Sequence, residues 1–215
     1  MDKKGKKIAL WILDLIINVA IILGLVFVIQ SWIIAPFDIS GASMCDTFNF
    51  INNECHSGFG EKIIINEAKY LFKDPARGEI VVFKTYEDEE KYYIKRVIGL
   101  PGETVEIKNG KVYITSPQGE TSVLTEEYLN ADNYNNTKTF FSDLSTFKVP
   151  EGHYFLMGDN RKASTDSRSC FMSTIKHDCK DHPEQSFVSK DLIRGEAWIV
   201  WWPITNIRMV KEPTY

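Results

Sequence analysis

Two side chains with the chemistry of a catalytic pair, Ser43 and Lys95, stand out in the sequence. A serine hydroxyl is a poor nucleophile until a base takes its proton, and lysine can be that base only in its neutral form. Because the free pKa of lysine is about 10.4, a value near 8 would require about 3.3 kcal/mol of differential stabilisation of the neutral amine. Burial among apolar groups can supply such a shift, so the pair predicts a nucleophilic serine beside a desolvated lysine.

The residues around Lys95 favour this desolvation. Lys95 lies in a run typical of a β-strand, with Tyr93 and Val97 on its own face and Ile94 beside it. Taken alone, a strand lysine usually belongs to a solvated face, and a serine before a methionine usually belongs to a turn. Other residues in a fixed arrangement are needed to favour catalysis over these ordinary interpretations.

Four segments supply that arrangement. They are SGASMCDTF (40–48), RGEIVVF (77–83), YIKRVIGLPGE (93–103) and GDNRKASTDSR (158–168). In order and spacing, after one N-terminal apolar segment, they closely resemble the conserved boxes of the type I signal peptidases. The resemblance covers the apolar segment and most of residues 37–114 and 150–202, but it covers residues 116–148 poorly.

The resemblance implies a role for five residues. Ser43 matches the nucleophile of that family, and Lys95 matches its general base. Ser164 matches a serine that hydrogen-bonds the lysine nitrogen, while Asp166 and Arg168 match an ion pair that braces the site. The resemblance also implies a fold of coiled β-sheets and a serine endopeptidase that removes signal peptides from exported preproteins.

Candidate pocket walls follow from the substrate that the resemblance implies. Signal peptides end with small residues at the first and third positions before the cut, so shallow apolar pockets would select them by excluding larger side chains. By the same resemblance, the candidates for the pocket walls are Phe37, Ile39, Met44 and Ile94. Plain packing in the protein core is the alternative for each of the four.

The segment around Ser43 departs from the family at two positions. Asp46 stands where the family has a proline, and with Cys45 beside it the loop could be held by a disulfide instead. Gly41 stands where many members have a serine whose hydroxyl helps to form the oxyanion hole. The main-chain N–H of Ser43 then remains as a donor, and a second donor, which can be worth about 2.7–4 kcal/mol, is left open.

Residues 8–30 predict a membrane-spanning helix. The stretch is apolar except for Asp14, Asn18 and its last residue. At about 1.5 Å per residue it is long enough to cross a hydrocarbon core of about 30 Å. A cleavable secretory signal is one alternative, but its apolar part is usually only about 7 to 15 residues long. A buried core helix is the other.

Charge is distributed unevenly along the chain. Residues 1–7 carry four lysines against one aspartate, so the net charge of −4 divides into +3 for this basic tip and −7 for the rest. The positive-inside rule places the tip in the cytoplasm and residues 31–215, the protease domain, on the far side of the cell membrane. An acidic body argues against nucleic-acid binding. We therefore expect signal peptides and the lipid bilayer as partners, no cofactor, and a monomer.

The four cysteines indicate disulfides. Outside the cell, an even number of cysteines in local pairs is typical of a disulfide framework. The simplest of the three connectivities joins Cys45 to Cys55 and Cys170 to Cys179. A metal site is the alternative, with the candidate ligands Cys170, His177, Cys179 and His182. Their spacing matches no established structural-zinc pattern, so we expect no metal.

Short strand-like runs dominate the chain after residue 36, and no long helical pattern interrupts them. Asn109-Gly110 between two such runs is a strong hairpin signal. The chain therefore predicts a mainly β catalytic domain behind one N-terminal helix. Residues 116–148, rich in Asn, Thr, Ser and Glu, predict a small polar insertion. Trp198–Trp202 predicts a buried strand, with an edge that touches the membrane as the alternative, since tryptophan favours interfaces.

Three other functions compete with this interpretation. A Ser/His protease would use His153 in place of Lys95. Another Ser/Lys protease would cleave itself or a different substrate, although enzymes of that kind are soluble. A membrane-anchored β-domain could bind a partner without catalysis, but the retention of all five site residues argues against that.

Overall fold

A computed structural model describes residues 3–51, 54–85, 90–140, 144–172, 182–213 and 215. One long helix precedes a domain of short strands. The helices and strands are α1 (Lys3–Trp32), β1 (Ile34–Ser40), β2 (Phe50–Ile51), β3 (Glu54–Cys55), β4 (Phe59–Asn66), α2 (Lys69–Phe72), β5 (Ile80–Phe83), β6 (Tyr93–Gly99), β7 (Thr104–Lys108), β8 (Lys111–Thr115), β9 (Thr121–Val123), β10 (Thr146–Lys148), β11 (His153–Met157), β12 (Val188–Ser189), β13 (Ile193–Trp202) and β14 (Arg208–Met209). Short 3₁₀ turns lie at Ser167–Ser169, Pro183–Ser186, Lys190–Leu192 and Ile204–Asn206.

The helix α1 has the length and composition of a membrane span. Within its segment Gly5–Ile29, an 18-residue stretch has a mean hydropathy of 2.9, and none of that stretch is buried against the rest of the chain. A helix that is apolar on all sides and exposed is typical of a membrane-spanning segment. The apolar helix predicted at residues 8–30 is therefore present, as one part of the longer α1, and is consistent with a membrane anchor.

The main sheet is antiparallel and positions the catalytic segments. Its strands lie in the order β1-β4-β13-β5-β6-β11-β12, and β14 pairs with β13. Bulges interrupt several of the pairings, including β1 with β4 and β6 with β11. Because a bulge bends a strand and increases its twist, these interruptions curl the sheet. The predicted fold class, a mainly β curled-sheet domain with one N-terminal apolar helix, is confirmed.

A second, four-stranded sheet has the order β10-β7-β8-β9. Asn109 and Gly110 join β7 to β8 with φ angles of 52° and 78°, the left-handed conformations that a tight hairpin turn requires. The predicted hairpin is thus confirmed. Residues 116–148 contribute the two outer strands of this sheet, so the ends of the polar insertion are part of the β framework.

Strand β13 differs from the buried strand that the sequence predicts. Ala197 and Val200 are buried, but Trp198, Trp201 and Trp202 are 38%, 38% and 43% exposed. Side chains of a regular strand alternate between its two faces. Bulges at 197–199 and 200–202 break that alternation, so the tryptophans turn outward while the smaller residues enter the core.

Two buried apolar clusters pack against the segments that contain Ser43 and Lys95. One contains Ile39, Met44 and Phe48 from the chain around Ser43, packed on strands β4 and β13. The other contains Val81 and Val97 from the strands that flank and carry Lys95. Close packing of these side chains restricts motion of the backbone above them.

Candidate active site

The loop after β1 carries Ser43. Gly41 has a φ of +91°, a conformation that glycine adopts without the steric cost of a Cβ atom, and it turns the chain out of the strand. The carbonyl of Met44 then accepts hydrogen bonds from the N–H groups of Thr47 and Phe48, which closes a tight turn. The nucleophile candidate therefore lies at the start of a short, internally bonded loop.

A second loop, after β11, holds the backbone around Ser43 from the other side. The N–H of Asn160 donates to the Ser43 carbonyl at 3.0 Å, and the Asn160 side-chain amide donates to Ala42 O at 3.0 Å. At Gly158 a Cβ atom would overlap the Ser43 carbonyl and the Ser164 hydroxyl. Only glycine lets the two loops approach this closely.

Lys95 lies in the middle of β6, between β5 and β11, and is 3% exposed. Its Nζ is 2.8 Å from Ser43 Oγ and donates to the carbonyl of Ile94 at 2.9 Å. Burial disfavours the ammonium and lowers the pKa of Lys95 to about 8, against the opposing influence of the Asp166 and Asp159 carboxylates. The structure therefore brings the hydroxyl and the desolvated amine into contact.

Asp166 and Arg168 form a buried ion pair beside this contact. Arg168 donates from Nη2 to Asp166 Oδ2 at 2.7 Å and from Nε to Oδ1 at 2.8 Å. The N–H of Gly158 also donates to Oδ2, at 3.0 Å. Burial by itself would raise the pKa of Asp166, but the Arg168 guanidinium and these hydrogen bonds bring it below its usual value. The carboxylate therefore stays charged, and it anchors the glycine that meets Ser43.

Ser164 does not make the hydrogen bond that the resemblance implies. Its hydroxyl is buried against Gly158 and makes no hydrogen bond to Lys95, although it is near enough to Asp166 to help lower the pKa of that carboxyl. The Lys95 amine instead contacts Ser43 and donates to the Ile94 carbonyl. The bond from Ser164 to Lys95 that the resemblance implies is not made in this structure.

The sequence interpretation missed a second buried ion pair, between Arg96 and Asp159. Arg96 donates from Nη2 to Asp159 Oδ2 at 2.6 Å and from Nε to Oδ1 at 2.8 Å, and both side chains are at most 1% exposed. The Thr47 hydroxyl donates to the same carboxylate at 2.5 Å. This pair links β6 to both catalytic loops. A usable signal was present, because each residue lies inside one of the four segments and their charges are opposite.

A groove with a volume of about 370 Å³ runs beside Ser43 and Lys95. Phe37, Ile39 and Ile94 line it, as expected of pocket walls. Met44 does not: it is 1% exposed and packs in the core beneath the loop. Its backbone is fixed by the turn that follows Ser43, and this directs the side chain inward.

Other groove residues were not recognised from the sequence. They are Asp38, Ser40, Gly41, Ala42, Ile63, Val82, Tyr92, Tyr93, Ala163 and Thr165. The Tyr92 ring meets the Phe37 ring edge-on at 5.0 Å, and the Tyr92 hydroxyl accepts a hydrogen bond from Arg194. The lining of the groove thus combines apolar side chains with polar ones, and it includes the aromatic pair Phe37–Tyr92.

His153 has a different environment from the one that a Ser/His protease would need. It begins β11, and its Nδ1 lies 2.8 Å from the carbonyl oxygen of Glu151. The nitrogen in contact with Ser43 Oγ belongs to Lys95. The arrangement therefore supports a lysine base and not a histidine base.

Two of the cysteines tie the nucleophile loop to the strand pair β2–β3. Cys45 and Cys55 form a disulfide, and Cys170 is also disulfide-bonded. The predicted partner of Cys170, Cys179, lies outside the described residues, as does His177. The remaining candidate metal ligand, His182, is exposed and lies 3.3 Å from Glu184.

Within the described part of the chain, three carboxylates come close enough together to hold a metal ion: Glu79, Glu196 and Glu212. The ammonium of Lys69 already lies 2.7 to 3.2 Å from all three. Burial raises the pKa of Glu196 to about 7. A lysine in the centre of the group makes it an ionic cluster, and the group contains none of the predicted site residues.

Removing the Cys45–Cys55 disulfide is expected to reduce stability. In the chain-entropy model a closed loop of this size is worth about 2–3 kcal/mol, so the Cys45→Ala/Cys55→Ala variant should lose about that free energy of unfolding. Urea unfolding in detergent micelles would measure it. Wild-type protein treated with a reductant is the control and should lose at least as much, because reduction also opens the bond at Cys170. An unchanged unfolding midpoint in the variant would contradict this prediction.

Comparison with known proteins identifies the family. The family described as "Signal peptidase, peptidase S26" matches residues 12–202. The chain belongs to the signal peptidase S26 family. This confirms the resemblance carried by the four segments, and the match includes the apolar helix as well as both catalytic loops.

Individual relatives agree with the membership in this family. "Signal peptidase I P" of Bacillus subtilis subsp. natto is 33% identical over 215 residues, which covers 98% of this chain and 100% of that protein. "Signal peptidase I S" of Bacillus subtilis (strain 168) is 35% identical over 209 residues, or 95% of each chain. A crystal structure of a signal peptidase I from Enterococcus faecalis V583 shares 31% identity and covers 58% of this chain and 97% of its own, with a TM-score of 0.40.

Proposed function

We propose that this signal peptidase cuts its substrates with Ser43 as the nucleophile and Lys95 as the general base. As a member of its family, the chain is a serine endopeptidase that removes signal peptides. One observation carries the assignment of residues: the 2.8 Å contact between Ser43 Oγ and a lysine nitrogen that is buried and has a pKa of about 8. A neutral amine in that position can accept the hydroxyl proton.

The reaction would proceed in two halves. Ser43 Oγ attacks the carbonyl carbon of the scissile bond while its proton passes to Lys95 Nζ, and the resulting ammonium then donates that proton to the leaving amine. Lys95, neutral again, takes a proton from a water molecule, and the hydroxide attacks the carbonyl carbon of the acyl-enzyme ester. The bond from that carbon to Ser43 Oγ then breaks, and the Lys95 ammonium returns its proton to Oγ, which regenerates the pair. The N–H of Ser43 is the proposed donor to the negatively charged carbonyl oxygen in both halves.

The carboxylates around Lys95 would assist the proton transfer. Asp166 and Asp159 are both negatively charged neighbours that favour the protonated amine, while burial disfavours it. The balance keeps the pKa near the operating pH, where an amine can both accept and return a proton.

The groove is proposed to select small side chains next to the cut. Phe37, Ile39 and Ile94 line it together with Ser43 and Lys95, and Phe37 and Tyr92 form an aromatic pair in its lining. A substrate with a large residue beside the scissile bond would clash with these walls. That selectivity fits the small residues that precede the cleavage site of a signal peptide.

The proposed location is the cell membrane, with α1 as a single-pass anchor. We propose a cytoplasmic basic tip at residues 1–7, a span at 8–30 and an extracytoplasmic protease domain at 31–215. The lysines before the helix support this orientation. The disulfide at Cys45 and Cys55 supports an oxidising compartment for the domain. Because a single chain supplies both members of the dyad and the groove, we propose that it acts as a monomer.

The dependence of activity on pH tests the assignment of Lys95. Below its pKa the amine is protonated and cannot accept the Ser43 proton, so kcat/KM should rise with pH to a plateau, with an apparent pKa of about 8. Below that value it should fall roughly tenfold per pH unit. The measurement is cleavage of a preprotein by the full chain in detergent micelles, with mass spectrometry of the new N-terminus to identify the cut. A rate that stays constant from about pH 6 to about pH 9 would exclude a lysine base of this kind.

A further inference from the structure

The middle of the polar insertion, residues 126–137, lies against both catalytic loops. We call it the clamp segment. Its backbone has no strand and is organised by turns, in which Asn130 O and Asn133 O accept hydrogen bonds from N–H groups further along. No role for this segment follows from the four conserved-looking boxes. Its contacts, described next, indicate one.

The first contact is with the nucleophile loop. Three donors of the clamp segment converge on the carboxylate of Asp46: the N–H of Asn130 at 2.9 Å, the Asn130 amide at 2.7 Å and the Asn133 amide at 3.1 Å. Asp46 is only three residues after Ser43. A charged acceptor that satisfies three N–H donors makes stronger hydrogen bonds than neutral partners would.

The second contact is with the loop after β11. Arg161 is 2% exposed and donates to the clamp segment at both ends, to the Glu126 carboxylate and, at 2.7 Å, to the Thr137 hydroxyl. Its neighbour in the chain, Asn160, holds the Ser43 carbonyl at 3.0 Å. The clamp segment thus reaches Ser43 from two directions.

These contacts close a ring. It runs from Ser43 to Asp46, through the clamp segment to Arg161, and back through Asn160 to the Ser43 carbonyl. Within the described part of the chain, Asp46 is the one side chain of the nucleophile loop that accepts hydrogen bonds from the clamp segment. A loop pinned at both ends has fewer positions for the serine hydroxyl than a loop pinned at one.

We propose that Asp46 is a positioning residue, which joins the nucleophile loop to the clamp segment and so fixes Ser43 Oγ at its distance from Lys95 Nζ. The inference rests on the proposed function of that pair. Asp46 stands where the family has a proline, a residue that stiffens a loop by restricting its own backbone. In this chain the hydrogen bonds of Asp46 provide the stiffness in another way, with the insertion as the supporting surface.

The test compares kcat and KM of Asp46→Ala with those of the wild type, using the full chain in micelles and a preprotein substrate. A displacement of about 1 Å in a catalytic group can cost about 100-fold, so we expect kcat to fall roughly 10- to 100-fold. KM should change less than about threefold, because Asp46 does not line the groove. The matched control is Asp132→Ala, which removes one carboxylate from the clamp segment at a side chain that is 85% exposed, and it should keep the wild-type kcat.

A second variant reaches the same link from its other side. Asn130→Ala/Asn133→Ala should reproduce the loss in kcat, and adding Asp46→Ala to it should cost little more, because residues that act through one link are not additive. This variant also tests the proposal if Asp46→Ala fails to fold.

A wild-type kcat in a folded Asp46→Ala protein, or a loss equal to that of Asp132→Ala, would overturn the proposal. Ser43→Ala distinguishes failure of the Asp46 proposal from failure of the proposed function. The variant must be inactive if Ser43 is the nucleophile, and it would cleave normally if Ser43 is not.

Discussion

Lys95→Met is expected to abolish cleavage, and Ser43→Ala is expected to do the same. Methionine has the length of lysine but cannot accept a proton, and alanine has no hydroxyl to attack the substrate. Loss of a member of a catalytic pair in other serine proteases costs about 10⁴-fold or more in kcat, and a similar loss is expected here. Preprotein cleavage followed by gel electrophoresis, with long incubation to set the lower limit, measures it.

The stability of these two variants separates catalysis from folding. Lys95 is 3% exposed, so replacing its amine with an apolar group removes a desolvation penalty, and the free energy of unfolding should stay the same or increase. Lys111→Met is the matched control: Lys111 is exposed on the second sheet, and its loss should leave activity unchanged. Normal cleavage by Lys95→Met would show that another group is the base.

Asp159→Ala is expected to be strongly destabilising. It leaves the guanidinium of Arg96 buried without its counter-charge, since Arg96 is 1% exposed and both of its hydrogen bonds to a carboxylate end on Asp159. Removing one partner of a buried pair typically costs about 3–5 kcal/mol. Urea unfolding in micelles, followed by tryptophan fluorescence, would measure the loss.

The control for this prediction is an ion pair between a basic residue and an aspartate that is exposed to solvent. Asp38 and Lys62 lie 2.9 Å apart, with side chains 51% and 38% exposed, and Asp38→Ala should cost less than about 1 kcal/mol. The pairing itself can be tested by replacing both partners with apolar residues, which should recover part of the loss because no buried charge then remains. Equal effects of Asp159→Ala and Asp38→Ala would mean that burial does not govern the strength of the Arg96 pair.

The two predictions address different parts of one arrangement. The dyad needs a lysine that is buried, and burial of a charge is tolerated only where the surrounding backbone cannot relax to admit water. The pairs Arg96–Asp159 and Asp166–Arg168 supply that rigidity, because each carboxylate is held in the loop after β11 while it also faces Lys95. Loosening either pair would therefore be expected to alter the pKa of Lys95 as well as the stability.

The comparison of sequence and structure also shows where resemblance misleads. Ser164 was assigned a hydrogen bond to Lys95 that its buried hydroxyl does not make, and Met44 was assigned to the pocket although it lies in the core. Both errors concern the direction of a side chain. Spacing along the chain indicates which residues are neighbours, but rotamers depend on the packing around them.

The sequence by itself determined the family, the apolar helix and the mainly β fold, and it predicted the two members of the proposed dyad. These follow from local signals: residue order within the boxes, the length of an apolar run, alternation along strands and the Asn109-Gly110 turn. The tertiary structure alone decided the Arg96–Asp159 pair, the outward tryptophans of β13 and the contact between Asp46 and the insertion. Each of these joins residues far apart in the chain or depends on a bulge, and such contacts are set by packing and loop closure, for which no local pattern in a single sequence gives the answer.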